Sequence, residues 1–157
     1  MDTADANLER LRAALGAACT HLLACRNAEG FWEGHLSSSA LSTATALSAL
    51  ALADDRADRP LIASGVAWLA AHRNADGGWG DTPDSPSNLA TTLLVASALR
   101  LAAVDDPSVF PREYLAAHGA AGAASRVVAI RRAYGADRTF AVPILMNCAL
   151  AGLVEWA

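Results

Sequence analysis

Three carboxylates open the search for chemistry. Asp54-Asp55-Arg56-Ala57-Asp58 spells a DDxxD run. Acids one helical turn apart can share a hard divalent cation such as Mg²⁺. Pro60 follows almost at once, and no second acidic motif of that kind appears. The run therefore reads as a solvated charged turn, not a metal site. His21 and Cys25 stand four apart, on one face of a helix, as metal ligands can. No third or fourth ligand is in view, so they read as a buried pair. His35, His72 and His118 lie scattered near loops and take no role. With Cys19 and Cys148 the thiols number three, without a CxxC. They read as reduced, mostly buried thiols of a cytoplasmic protein. Neither a Ser/His/Asp set, a P-loop nor a dinucleotide fingerprint is present. No catalytic, metal or cofactor-binding residue is assigned, and no cofactor is expected.

Two tryptophans are more informative. Residues 26–32 read Arg-Asn-Ala-Glu-Gly-Phe-Trp, and residues 73–79 read Arg-Asn-Ala-Asp-Gly-Gly-Trp. Each stretch leads through a polar linker into an apolar segment, at Leu41-Ser42-Thr43-Ala44 and at Leu89-Ala90-Thr91-Thr92. The period, about 47 residues, is that of two-helix repeats. Trp32 and Trp79 can line a cavity, but buried indoles mostly serve packing. Each is expected to pack against the start of the next helix.

The elements that position these loops follow from apolar spacing. Leu8, Leu11, Leu15, Cys19 and Leu22 recur at three- and four-residue steps and form one helix face. Leu41, Ala44, Leu47 and Leu52 form a second. Pro60 opens a third helix, whose stripe is Ile62, Val66 and Leu69, and Gly77-Gly78 is expected to break it. Pro83 and Pro86 should hold the linker extended. Ser87 or Asn88 can cap the next helix, which runs to about Ala103. Asp105-Asp106-Pro107 turns the chain. Short helices then span Pro111 to His118 and Ser125 to Tyr134, interrupted by Gly119 and Gly122 and ended by Gly135. A last, strongly apolar helix spans Thr139 to Val154, with Pro143 in its first turn. Asp137-Arg138 sits at its start, where Asp favours the helix dipole. No strand is evident.

Composition fits this reading. Hydrophobic residues are 54% and charged residues 18% of 157, ample for a core. The formal net charge of −4 and the lack of any basic run argue against a nucleic-acid partner. Every positive residue is Arg, and Gln is absent. The acidic start Met1-Asp2-Thr3-Ala4-Asp5 is no signal peptide. The longest apolar stretch, Ala141 to Val154, is too short to span a bilayer, which leaves a peripheral membrane contact open.

Gly65-Val66-Ala67-Trp68-Leu69, then Arg73, then Gly77-Gly78-Trp79-Gly80 resembles the QW repeat of squalene/oxidosqualene cyclases, found loosely in prenyltransferase β subunits. That pattern is an aromatic, Leu, three residues, Gln, then Gly-x-Trp. Trp68, Leu69, Gly77 and Trp79 fill it, with Arg73 in the Gln place. The first copy keeps Gly30 and Trp32, with Arg26 for Gln and His21 for the aromatic. Asp76 to Thr82, Ser87 to Leu94, and Tyr134 to Leu145 are similar to bacterial squalene-cyclase-like proteins.

The resemblance implies an all-α fold, a partial α/α toroid of about six to seven helices in two-helix QW-type repeats. Residues 1–157 would form a single incomplete barrel segment of about three helical hairpins. It also implies an isomerase of triterpenoid biosynthesis, which protonates a polyprene from an Asp in a DxDD motif and closes rings through cations held by aromatic walls. This chain has no DxDD, and aromatic residues are only 6%. DDxxD, for its part, is the magnesium–diphosphate motif of ionising terpene synthases. The expectation is an amino-terminal cyclase segment not catalytic alone. The implied partners are an isoprenoid or lipid and the remainder of the cyclase or a second copy. A stand-alone helical-repeat module binding a lipid or protein, and a small self-associating isoprenoid enzyme, are the alternatives. In the family the motif Gln joins neighbouring elements, and Arg26 and Arg73 can do so through a carbonyl or through Glu29 or Asp76. The chain closes on Glu155-Trp156-Ala157 without a polar capping helix, as a truncated repeat array would.

Overall fold

Every residue from Thr91 to Leu99 is buried, so one helix of this chain has no solvent face. A helix apolar on all sides belongs at the centre of its neighbours. The computed structural model describes residues 3–104 and 106–156 and is all-helical. Asp105, Ala157, Met1 and Asp2 lie outside the described residues, and with them parts of the expected turn at Asp105 and of the acidic start. Seven α-helices appear among the described residues: α1 (Thr3–Ala24), α2 (Ala40–Ala53), α3 (Arg59–Ala71), α4 (Leu89–Leu101), α5 (Arg112–Ala117), α6 (Ala123–Tyr134) and α7 (Ala141–Leu150). None is long and apolar enough to cross a membrane.

The chain forms two compact units, Met1–Leu36 and Ser37–Ala157. The first is α1 and its Gly-Trp loop. Its leucines Leu8, Leu11, Leu15 and Leu22 are exposed. Cys19 and Cys25 are exposed too, which corrects the expectation of mostly buried thiols. Cys25 Sγ lies 3.8 Å from His21 Nε2, so this pair meets at the surface, not in a core.

The second unit is built around α4, which packs against α2, α7 and α5, while α3 lies on α2 and α6 on α7. Ala40, Ala44, Leu47 and Ser48 give α2 one buried stripe. Across from it, an added Cβ on Gly65 would stand 2.8 Å from Leu47, so glycine there lets α3 close on α2. The buried hydroxyls of Ser48, Thr91, Thr92 and Ser97 all have hydrogen-bond partners. Ser97 Oγ donates to Leu93 O at 2.9 Å, and Ser48 Oγ donates to Asn147 Oδ1 at 3.2 Å, tying α2 to α7.

Local chemistry sets the ends. Asn88 caps α4 through Thr91 N–H, and Ser39 caps α2 through Ser42 N–H. Asp54 ends α2 in the left-handed region, and Asp55 caps a 3-10 turn, Arg56–Asp58, that hands the chain to α3 with its Pro60 in the first turn. Three expected boundaries move. α3 stops at Ala71, well before Gly77-Gly78, where the His72 ring bonds Trp68 O at 2.8 Å. The 82–86 linker is not extended: Pro83, with its fixed φ, seeds a turn closed by Ser85 N–H to Thr82 O at 3.0 Å. α7 ends at Leu150, short of Val154, because Gly152 at φ +67 lets Leu153 N–H reach Cys148 O at 2.8 Å.

Candidate functional site

The two Gly-Trp loops are local copies of one device. In the second, Arg73 Nε donates to Gly77 O at 2.9 Å, Asn74 N–H to Gly78 O at 3.0 Å and Gly77 N–H to Asn74 O at 2.9 Å. Trp79 Nε1 donates to Leu69 O at 2.8 Å, and the Arg73 guanidinium lies over the indole at 5.5 Å. In the first, Arg26 Nε donates to Gly30 O at 2.6 Å, Asn27 N–H to Phe31 O at 2.9 Å and Gly30 N–H to Asn27 O at 3.1 Å. Trp32 Nε1 donates to Leu22 O, and Arg26 lies over that indole at 5.6 Å. Gly77 at φ +83 and Gly30 at φ +94 sit in the left-handed region, and a Cβ on either would stand 2.9 Å from the arginine that folds across it. The left-handed backbone at both positions calls for glycine.

The copies differ in what holds them. Trp79 is fully buried, whereas Trp32 is 46% exposed. Trp79 N–H donates to Thr92 Oγ1 at 3.0 Å and Asn88 N–H to Trp79 O at 3.0 Å, so the second loop is fixed to the start of α4. Its indole, however, reaches back to α3 through Leu69, and Trp32 likewise reaches back to α1 through Leu22. Arg73 uses carbonyls, those of Gly77 and of Ser108 at 2.7 Å. Asp76 takes the Ser87 hydroxyl at 2.7 Å and Gly78 N–H at 3.0 Å instead. These bonds hold its carboxyl below the ordinary range. Trp68 stacks on His72 with centroids 4.1 Å apart.

Beside the second loop the unit carries a cavity of about 640 Å³. Leu41, Leu89, Leu94, Tyr134, Phe140 and Ile144 give it an apolar wall, and Asp81 is its one acidic residue. Thr91 Oγ1 and Asn88 Nδ2 both donate to Asp81 Oδ1, the latter at 2.8 Å. The Asp81 carbonyl accepts Ala40 N–H at 3.1 Å, so one residue joins the linker to the starts of α2 and α4. Burial, with the charges of Asp81 and Asp137, pushes the Tyr134 hydroxyl above its ordinary range. Sequence reading missed Asp81, whose partners lie seven and ten residues on. The Asn88 cap was the only local signal toward it.

The residues first considered for chemistry lie elsewhere. Asp55 Oδ1 accepts Ala57 N–H at 2.9 Å within the interhelical turn. Asp137 Oδ1 accepts Thr139 N–H at 2.8 Å ahead of α7. His118 stacks on Tyr114 at 4.0 Å.

Comparison with known proteins places the chain. Over 135 residues it is 34% identical to the terpene cyclase-glycosyl transferase fusion protein fsoA of Humicola fuscoatra, across 76% of this chain and 10% of that protein. The chain thus spans about a tenth of the length of the curated relative it matches. No solved structure matches it. Residues 15–130 match the model of the squalene-hopene cyclase N-terminal domain, and the chain belongs to that α/α-toroid family.

Proposed function

We propose that this chain supplies the amino-terminal part of one α/α barrel to a terpene cyclase that closes a polyprene into rings. Its contribution is wall, not acid. The observation that carries this reading is the 640 Å³ cavity, whose apolar lining comes from α2, α4, α6 and α7 beside a locked Gly-Trp loop. Apolar walls fold a hydrocarbon chain, and the rings of Tyr134 and Phe140 offer π faces to a developing cation. The proton-delivering carboxylic acid must be kept protonated by its surroundings. Asp81 spends Oδ1 on Asn88 and Thr91, which ties it to the start of α4 as a structural acceptor. With no DxDD run in the sequence, the proton comes from outside these residues.

The purified chain incubated with squalene is expected to bind it without turnover. Binding is read as a change in Trp fluorescence, and products by gas chromatography with mass detection. Cyclised product from the chain alone would overturn the reading. The solution mass, measured by light scattering with and without mild detergent, tests the same point. Aggregation relieved by detergent supports a segment that packs against further cyclase chain. A discrete detergent-independent dimer with turnover points to a self-associating enzyme, and a clean monomer that binds no squalene points to a protein-binding module.

A further inference from the structure

A second cavity, of about 440 Å³, lies in the same unit and carries three arginines: Arg100 at the end of α4, Arg112 at the start of α5 and Arg126 on α6. Among the described residues no Asp or Glu lines it. Three like charges around one concavity repel each other unless an anion joins them. Arg126 gives one terminal nitrogen to Leu153 O at 2.7 Å and the other to Ala121 O at 2.8 Å. Its Nε is buried and has no acceptor among the described residues. Burial, together with the charge of Arg100, pulls this guanidinium below its ordinary range. The group is therefore fixed in place by neutral carbonyls and keeps its positive charge. Arg112 is steered by Phe110, over whose ring it lies at 6.0 Å. Arg100 and Arg112 are exposed to solvent.

We propose that this cavity binds the diphosphate group of an organic diphosphate ester. A diphosphate monoester carries about three negative charges near neutral pH, which matches three guanidinium groups. The planar fork of arginine suits phosphate oxygens two at a time. Phe110, half-buried, and the exposed Ala116 and Ala121 give the lining its accessible apolar part, against which a hydrocarbon chain on the ester would lie. The site is distinct from the cavity beside the Gly-Trp loop, with which it shares no lining residue.

The test is calorimetric titration of the whole chain with inorganic diphosphate in metal-free buffer. Saturable binding is expected. The double variant Arg100→Gln, Arg112→Gln alters only exposed side chains and should weaken binding by about tenfold or more, since each charge-assisted bond is strong. Arg131→Gln, Arg132→Gln, on the same helix as Arg126, should leave it unchanged. Absence of binding, or equal binding by both double variants, would overturn the proposal. Geranyl diphosphate and ADP then separate the two sources of the group. Geranyl diphosphate is expected to bind more tightly, and a preference for ADP would overturn the hydrocarbon assignment.

Discussion

The indole of Trp79 donates to the carbonyl of Leu69, ten residues earlier, at 2.8 Å in a fully buried setting. Trp32 makes the same ten-residue bond to Leu22, with its ring 46% exposed. One sequence device thus works in two environments, and burial should decide its worth. Trp79→Phe removes a donor that water cannot replace and should cost about 1–2 kcal/mol. Trp32→Phe should cost less than about 0.5 kcal/mol, because water takes the vacated place. Urea unfolding followed by far-UV circular dichroism measures both, and equal losses would contradict the argument.

Arg73 holds two carbonyls at once, Gly77 within the loop and Ser108 after α4. The glutamine typical of the repeat has one amide and reaches only one of them. Arg73→Ala should destabilise the chain by about 1–2 kcal/mol, and Arg73→Gln by about half as much. Gly77→Ala should cost at least about 1 kcal/mol, since it combines a φ of +83 with a Cβ set against the arginine. An Arg73→Gln variant no better than Arg73→Ala would show that the loop bond to Gly77 contributes nothing.

Periodic apolar spacing made the seven helices legible, because the three- and four-residue step marks a helix whether its face is covered, as in α2, or exposed, as in α1. The cap at Asn88 and the first-turn proline Pro60 were legible for the same local reason. The Gly-Trp loops were visible as a repeat, yet the partner of Trp79 was not. Its side chain turns back to Leu69, while only its main chain meets α4 through Thr92. The exposure of Cys19 and Cys25 was not legible either, since a stripe announces an apolar face without saying what covers it. Both cavities were out of reach for a stronger reason. Asp81 meets Thr91 through a turn, and Arg100, Arg112 and Arg126 gather from three helices. No local spacing encodes such meetings.

Three helices end in the same hydrogen-bond pattern, and one uses the wrong residue for it. Gly119 at φ +69 and Gly152 at φ +67 occupy the left-handed position after α5 and α7. After α4 that place is held by Ala103 at φ +51, with Val104 N–H bonded to Leu99 O at 3.0 Å. A side chain in this region is disfavoured by about 1 kcal/mol relative to glycine. Ala103→Gly should therefore stabilise the chain by up to about 0.5 kcal/mol, after the added freedom of the unfolded glycine is counted. Thermal unfolding checks the sign, and a lowered midpoint would contradict it.

Asp76 links stability to acidity. Its carboxylate accepts the Ser87 hydroxyl and Gly78 N–H, which hold it below the ordinary value of 3.8 against a small opposing effect of burial. A carboxyl depressed on folding binds its proton more weakly in the folded chain than in the unfolded one. The stabilisation is then fully present above 3.8 and is lost as pH falls through the folded value. Asp76→Asn removes this dependence while weakening the bonds to Ser87 and Gly78. The variant should be less stable than the parent at neutral pH, and the gap should close as the medium is acidified below 3.8. Thermal midpoints across a pH series measure the gap. A gap that stays constant through the acid range would mean that Asp76 is not held in its charged form by this loop.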